Sequence, residues 1–152
     1  MKSILLSIRP EWVAKILNGE KTIEVRKQFP KDYVGWVYIY CTKDKKYANL
    51  INRGGFLTGM VVARFWCDKV EEISAKNIES FTKDSCLTVK QIEDYLWKNI
   101  CNGYAIHISK LEIFDRPKYL TEYYKTYIET EKGIYYQVLT KAPQNYCYIK
   151  GE

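Results

Sequence analysis

Residues 3–8 (Ser3-Ile4-Leu5-Leu6-Ser7-Ile8) form a compact, mostly apolar run, the pattern of a buried strand. Pro10 then presets the φ angle of a first helical turn, and Glu11 suits the positive end of the helix dipole. Trp12, Val13, Ile16 and Leu17 recur at helical spacing until Asn18-Gly19 closes the segment, with Gly19 fit for a left-handed cap. From residue 21 to 27 the period drops to two. Ile23 and Val25 take one face of a strand, and Thr22, Glu24 and Arg26 take the other. Lys21 has the opposite parity to Glu24, but it stands at the first residue of the strand, beside a glycine turn, where parity constrains little.

After the punctuation of Pro30 and Gly35, residues 36–42 are rich in aromatic and β-branched side chains and predict a strand. Lys43-Asp44-Lys45-Lys46 predicts a basic loop, and Arg53-Gly54-Gly55 a turn. Residues 56–70 predict one long strand with Gly59 at a bulge or a close approach, interrupted by Arg64, which faces either the cavity of the 21–27 strand or solvent at an edge. Residues 71–102 predict a helical insertion. Within it Thr88 and Gln91 make a capping-box pair, and Val89, Ile92, Leu96 and Ile100 an apolar stripe. Residues 104–114 return to strand, which Pro117 ends; residues 121–131 stay open between helix and loop; residues 135–139 and 146–149 predict two short closing strands. Five to seven strands with two or three helices and no regular β-α-β alternation predict an α+β fold, a mixed sheet curled into a small barrel, as one domain over residues 1–152.

Composition narrows the classes. With 47% hydrophobic and 15% aromatic residues, a disordered or fibrous chain is excluded. Five cysteines without a C-x-x-C spacing indicate neither a zinc site nor a disulfide framework, so no metal or cofactor is expected. His107 is the only histidine, hence the only partner for a thiol nucleophile. The apolar run at the N-terminus is too short for a signal peptide or a membrane span, so a cytoplasmic protein is expected. Net charge is +6, and residues 20–64 carry +5 of it while residues 68–99 carry −2. That concentration suits RNA, other nucleic acid or a phosphorylated small molecule, or else a solvated face.

The basic region contains Gly19-Glu20-Lys21-Thr22-Ile23-Glu24-Val25-Arg26, which puts an ammonium, a hydroxyl, a carboxylate and a guanidinium within six residues. Three readings stand. In a binding site Lys21 and Arg26 hold phosphate or base oxygens, Glu24 accepts from a base amino group, and Trp36 or Tyr40 stacks on a ring. In a deacylase Lys21 is the base and Glu24 its proton relay, with Arg26 or Arg64 on the oxyanion. In a structural role Glu24 and Arg26 brace the barrel. His107 either approaches a ligand or is a hydrogen-bonded structural histidine.

The same stretch resembles the G-x-K-x-x-E-x-R motif of ASCH domains, members of the PUA-like superfamily. Leu5-Leu6-Ser7-Ile8-Arg9-Pro10, residues 37–42, residues 105–111 and residues 142–149 extend the resemblance to the small phage- and prophage-type branch over nearly the whole chain. It implies a PUA-like β-barrel with flanking helices, a cleft beside the motif, and RNA or a modified nucleobase as ligand. Some small members are amidohydrolases acting on N4-acetylcytidine through a lysine, a threonine and a glutamate, and ribonuclease activity is ascribed to another branch. Lys21 matches that lysine, but Glu24 occupies the threonine position and Thr22 lies at the wrong spacing. The distant glutamate falls in the inserted region, near Glu79 or Asp84.

Overall fold

The computed structural model describes residues 2–44, 58–98, 102–125 and 128–151. Lys45, Lys46, the turn Arg53-Gly54-Gly55, Phe56 at the start of the predicted long strand, and Ile100 of the helical stripe lie outside them. The first strand, β1 (Lys2–Ile8), is the axis of the molecule. It pairs in parallel with β3 (Gly35–Cys41) and antiparallel with β10 (Tyr146–Lys150). Its apolar run is buried on both faces. Ile4, Leu6 and Ile8 pack with Val37, Ile39 and Phe65, while Leu5 packs on the other side with Tyr38, Tyr40, Tyr123 and Ile149.

The two long strands predicted over 56–70 and 104–114 each divide in two. β4 (Met60–Cys67) pairs with β7 (Ser109–Lys118), and β5 (Val70–Ile73) pairs with β6 (Gly103–His107), all antiparallel. They form one continuous ribbon bent where the exposed Asp68 and Lys69 interrupt the apolar run. At the bend His107 N–H donates to Lys69 O at 3.0 Å, and Ile108 N–H to Thr22 O at 2.9 Å. Beyond it Lys110 adopts a φ of +45°. The bend sends the two halves into different sheets, one ordered β10-β1-β3-β4-β7 and the other β2-β6-β5, where β2 is Ile23–Arg26. Gly59, with a φ of +75°, sits in the turn before β4 and not at a bulge within it; of the two expectations the close approach is the one found, since a Cβ there would stand 2.9 Å from Lys43 Cε. Pro117 lies inside β7 instead of ending it, which an edge strand tolerates because no neighbour needs the missing N–H.

Of residues 121–131, open between helix and loop in the sequence, Ile128–Thr130 form β8, which makes a small hairpin with β9 (Gly133–Tyr135). The strand predicted over 135–139 is reduced there to a single bridge between Tyr124 and Val138. Among the described residues this makes ten strands and three α-helices, and no helix is long and apolar enough to cross a membrane.

The main-chain ladders of the two larger sheets do not close into a ring. The far end of β10 is bridged by Lys125 at Ile149, whereas among the described residues no ladder forms between β2 and the chain entering β10, and side chains bridge the seam. Arg26 Nη2 donates to Ser7 O of β1 at 2.7 Å and Nη1 to Asn145 Oδ1 at 3.2 Å. Asn145 Nδ2 in turn donates to Gln28 O at 2.8 Å. The motif strand thus reaches its neighbours through charged and amide side chains.

Helix α1 (Pro10–Leu17) ends as its sequence predicts: Asn18 N–H donates to Ala14 O at 3.1 Å and Gly19 takes a φ of +85°. The predicted helical insertion opens with strand β5 and a 3-10 turn (Ile78–Phe81) before α2 (Thr82–Ser85) and α3 (Val89–Trp97). Thr88 and Gln91 do form the capping box, at 2.9 and 3.1 Å. The helices cover β2, β5 and β6 through Phe81, Ile92 and Leu96 against Ile23, Val25, Ile73 and Ala105.

Gly103 at the start of β6 is where this packing is tightest, since a Cβ there would stand 2.3 Å from a methyl of the fully buried Leu96. Gly103→Ala is therefore expected to destabilise the fold by about 1–3 kcal/mol in urea unfolding, the cost of overpacking a core. An unchanged midpoint would show that Leu96 can move aside.

Candidate functional site

Lys21 follows the left-handed turn at Gly19, its N–H donating to Lys15 O at 3.0 Å, and Thr22 N–H donates to Asp84 O at 2.8 Å. Both residues precede β2 and stand outside its ladder, which frees Lys21 from the alternation of the strand. Its side chain runs inward and is 1% exposed. Nζ donates to Ser85 O at 2.7 Å and lies 5.2 Å from the centre of the Trp12 ring. Ser85 is the last residue of α2, where main-chain carbonyls lack helical partners, and Cys86 turns the chain away with a φ of +60°. Burial pushes the Lys21 pKa down from its ordinary 10.5, against the nearby Glu24 carboxylate, which raises it.

On β2, Ile23 and Val25 face the helices, as their alternation predicts. Glu24 is 6% exposed and Arg26 half-buried. Arg26 Nε stands 3.6 Å from Glu24 Oε1, an ion pair too long for a hydrogen bond. Glu24 Oε2 and Arg26 Nε are both buried without a hydrogen-bond partner. An unmatched acceptor and an unmatched donor thus lie side by side, a costly arrangement in a protein interior unless something else satisfies them.

Both residues line a cavity of about 490 Å³, as does Lys21. Its remaining walls come from α1 (Trp12), the ends of β1 and β3 (Ser7, Arg9, Thr42), the start and body of α3 (Leu87, Gln91, Tyr95) and the loop before β10 (Gln144). The size is that of a small-molecule site, with aromatic faces at Trp12 and Tyr95 and a few convergent polar groups. Lys27 Nζ lies 5.0 Å from the centre of the Tyr95 ring and Arg9 is exposed, which puts positive charge at the mouth.

Lys21, Glu24 and Arg26 therefore meet, whereas the other candidates of the sequence lie elsewhere. Thr22 is exposed and does not line the cavity. Arg64 lies on another face of the large sheet, with its guanidinium carbon 4.0 Å from the centre of the Trp36 ring. It donates to Glu112 Oε2 at 2.7 Å and to the Tyr38 hydroxyl at 3.1 Å. Tyr40 is buried in the cluster with Leu5 and Val61. His107 Nε2 is 3.5 Å from Glu71 Oε2, and Lys69 pairs with the same glutamate. Glu79 and Asp84 are exposed and line no part of the cavity. Burial pushes the Cys41 thiol up to about 12 and the Cys67 thiol to about 11, which keeps both protonated and inert. Among the described residues no group of three metal-ligating side chains is found.

Trp12, Tyr95 and Gln91 are among the lining residues that the sequence does not place in the site. Trp12 reads as one more member of an apolar helical face. Tyr95 and Gln91 lie on exposed positions of α3, and only the packing of α3 beside β2 brings them over the motif.

No protein-family model matches the chain, and no curated protein matches it. Solved structures do. A serine-to-alanine variant of ZmASCH from Zymomonas mobilis superposes with a TM-score of 0.69 at 16% identity, covering 97% of this chain and 88% of that one. A tyrosine-to-phenylalanine variant gives 0.61 at 19%, covering 79% and 77%, and the ASCH protein itself gives 0.60 at 19%, covering 78% and 73%. The chain shares the fold of these ASCH structures, an arrangement of mixed sheets and helices.

Since folding lowers the Lys21 pKa, the unfolded chain holds this proton more tightly than the folded one. Stability contributed by the group therefore rises with pH from its folded pKa up to 10.5. Lys21→Met should remove that rise, seen as a wild-type minus variant difference in urea midpoints that changes with pH over the alkaline range. Parallel curves for the two proteins would contradict it.

Proposed function

We propose that the chain is a nucleic-acid-binding module that holds a base, modified or not, in the cavity of the motif. The observation that carries this reading is the paired deficit at Glu24 Oε2 and Arg26 Nε, one buried acceptor and one buried donor on the cavity wall. Nucleobases carry adjacent donors and acceptors along their edges, and an unstacked base can offer them while its faces meet Trp12 and Tyr95. Lys21 adds a cation beside the same edge. Arg26 uses one N–H of each terminal nitrogen on Ser7 and Asn145, which fixes the guanidinium with its partnerless Nε beside Glu24.

A second reading rests on Lys21 itself. An amine whose pKa burial lowers, within the field of a carboxylate, suits proton abstraction from water in the hydrolysis of an acylated base such as N4-acetylcytidine. The aliphatic hydroxyls among the lining residues are Ser7 and Thr42, of which Ser7 Oγ already donates to Pro143 O at 2.7 Å.

Binding of nucleosides and short RNA measured by calorimetry tests the first reading. Glu24→Gln is expected to weaken binding about tenfold, the worth of a charge-assisted hydrogen bond, with the melting temperature preserved. Arg64→Ala, away from the cavity, should leave binding unchanged; the opposite ranking of the two variants would move the site to the outer face. Conversion of N4-acetylcytidine to cytidine by the wild type, lost in Lys21→Ala, is the outcome expected of the second reading, and no turnover in the wild type would remove it.

A further inference from the structure

A second depression, about 850 Å³, adjoins the first. Gln144 lines both, and Asn145, which holds Arg26 of the first cavity, lines the second. The chain passes from one to the other, with Glu24 of β2 on the first wall and Gln28, in the bend that follows β2, on the second.

The chemistry of this groove differs from that of a protein-docking patch. Gln28, Gln137 and Gln144 offer neutral amides, Tyr148 an exposed ring, and Lys125 a cation. No carboxylate is among its described lining residues. Lys2 Nζ stands 5.8 Å from the centre of the Tyr148 ring, which adds a second cation at the rim. Amides that pair with base edges, a ring for stacking, and cations with no carboxylate among the described lining residues form a surface suited to a single strand.

We infer that the ligand is a single-stranded nucleic-acid segment, whose recognised base enters the motif cavity and whose adjacent nucleotides continue past Gln144 along the groove of Gln28, Lys125 and Tyr148. The inference rests on the base-holding role given to the first cavity, and adds that a free nucleoside fills only half of the site.

Affinities for the four homopolymeric RNA hexanucleotides and for the matching nucleosides, measured by fluorescence competition, test it. The best hexanucleotide should bind at least about tenfold more tightly than its nucleoside, the gain expected from stacking one further base. The double variant Lys125→Ala, Tyr148→Ala should bring the hexanucleotide to the affinity of the nucleoside without changing the latter. Tyr148→Phe, which keeps the ring, should retain the gain. A nucleoside that binds as tightly as the hexanucleotide, or a hexanucleotide indifferent to the double variant, overturns the groove and leaves the base cavity standing. Absence of binding by every hexanucleotide and nucleoside overturns both.

Discussion

Arg26 joins the two larger sheets across a seam that their main-chain ladders leave open. Its contacts with Ser7 O and Asn145 Oδ1 cross that seam, and hydrogen bonds from a charged donor are worth about 1.5–3 kcal/mol each. Because β2 is only four residues long and is tied to β6 on one side, this guanidinium fixes where its other side lies. Glu24 follows from it, held by the strand on the face that Arg26 shares. The burial of Lys21 follows too, since β2 and α2 must be in register for Ser85 O to receive the ammonium.

Three ionisable side chains gathered at one seam are a poor way to gain stability. Apolar residues of similar volume can replace buried ion pairs at little cost, and often with a gain. Here the network is also left incomplete, because Glu24 Oε2 and Arg26 Nε find no partner. The same residue types elsewhere in the molecule show the contrast. Arg64 stacks on Trp36 and is bonded to Glu112 and Tyr38, so its donors are used within the sheet. His107 Nε2 is also buried without a hydrogen-bond partner, 3.5 Å from Glu71 Oε2, but it lines no part of the cavity. Charge satisfied by its neighbours braces a surface; charge left unsatisfied on a cavity wall awaits a ligand.

Much of this was legible in the chain. The buried strand of residues 3–8, the helix beginning at Pro10 and its glycine close, the alternation of Ile23 and Val25, and the Thr88–Gln91 box are local patterns, decided by steric preference and hydrogen bonds a few residues apart. Lys21, Glu24 and Arg26 could be named together because they are neighbours in sequence. The bend that turns two predicted strands into four was not legible, since Asp68 and Lys69 are too brief an interruption to announce a change of sheet.

What the sequence by itself determined, then, was the set of local elements and the chemistry of the motif. Tertiary structure decided which of the other candidates join it. Trp36, Tyr40, Arg64 and His107 have suitable side chains but are held on other faces, while Trp12, Gln91 and Tyr95 reach the cavity because α1 and α3 pack at the edges of β2. The physical reason is one of range: periodicity tells which face of an element is apolar, and only the closing of sheets and helices around a common core tells which polar faces come to look at one another.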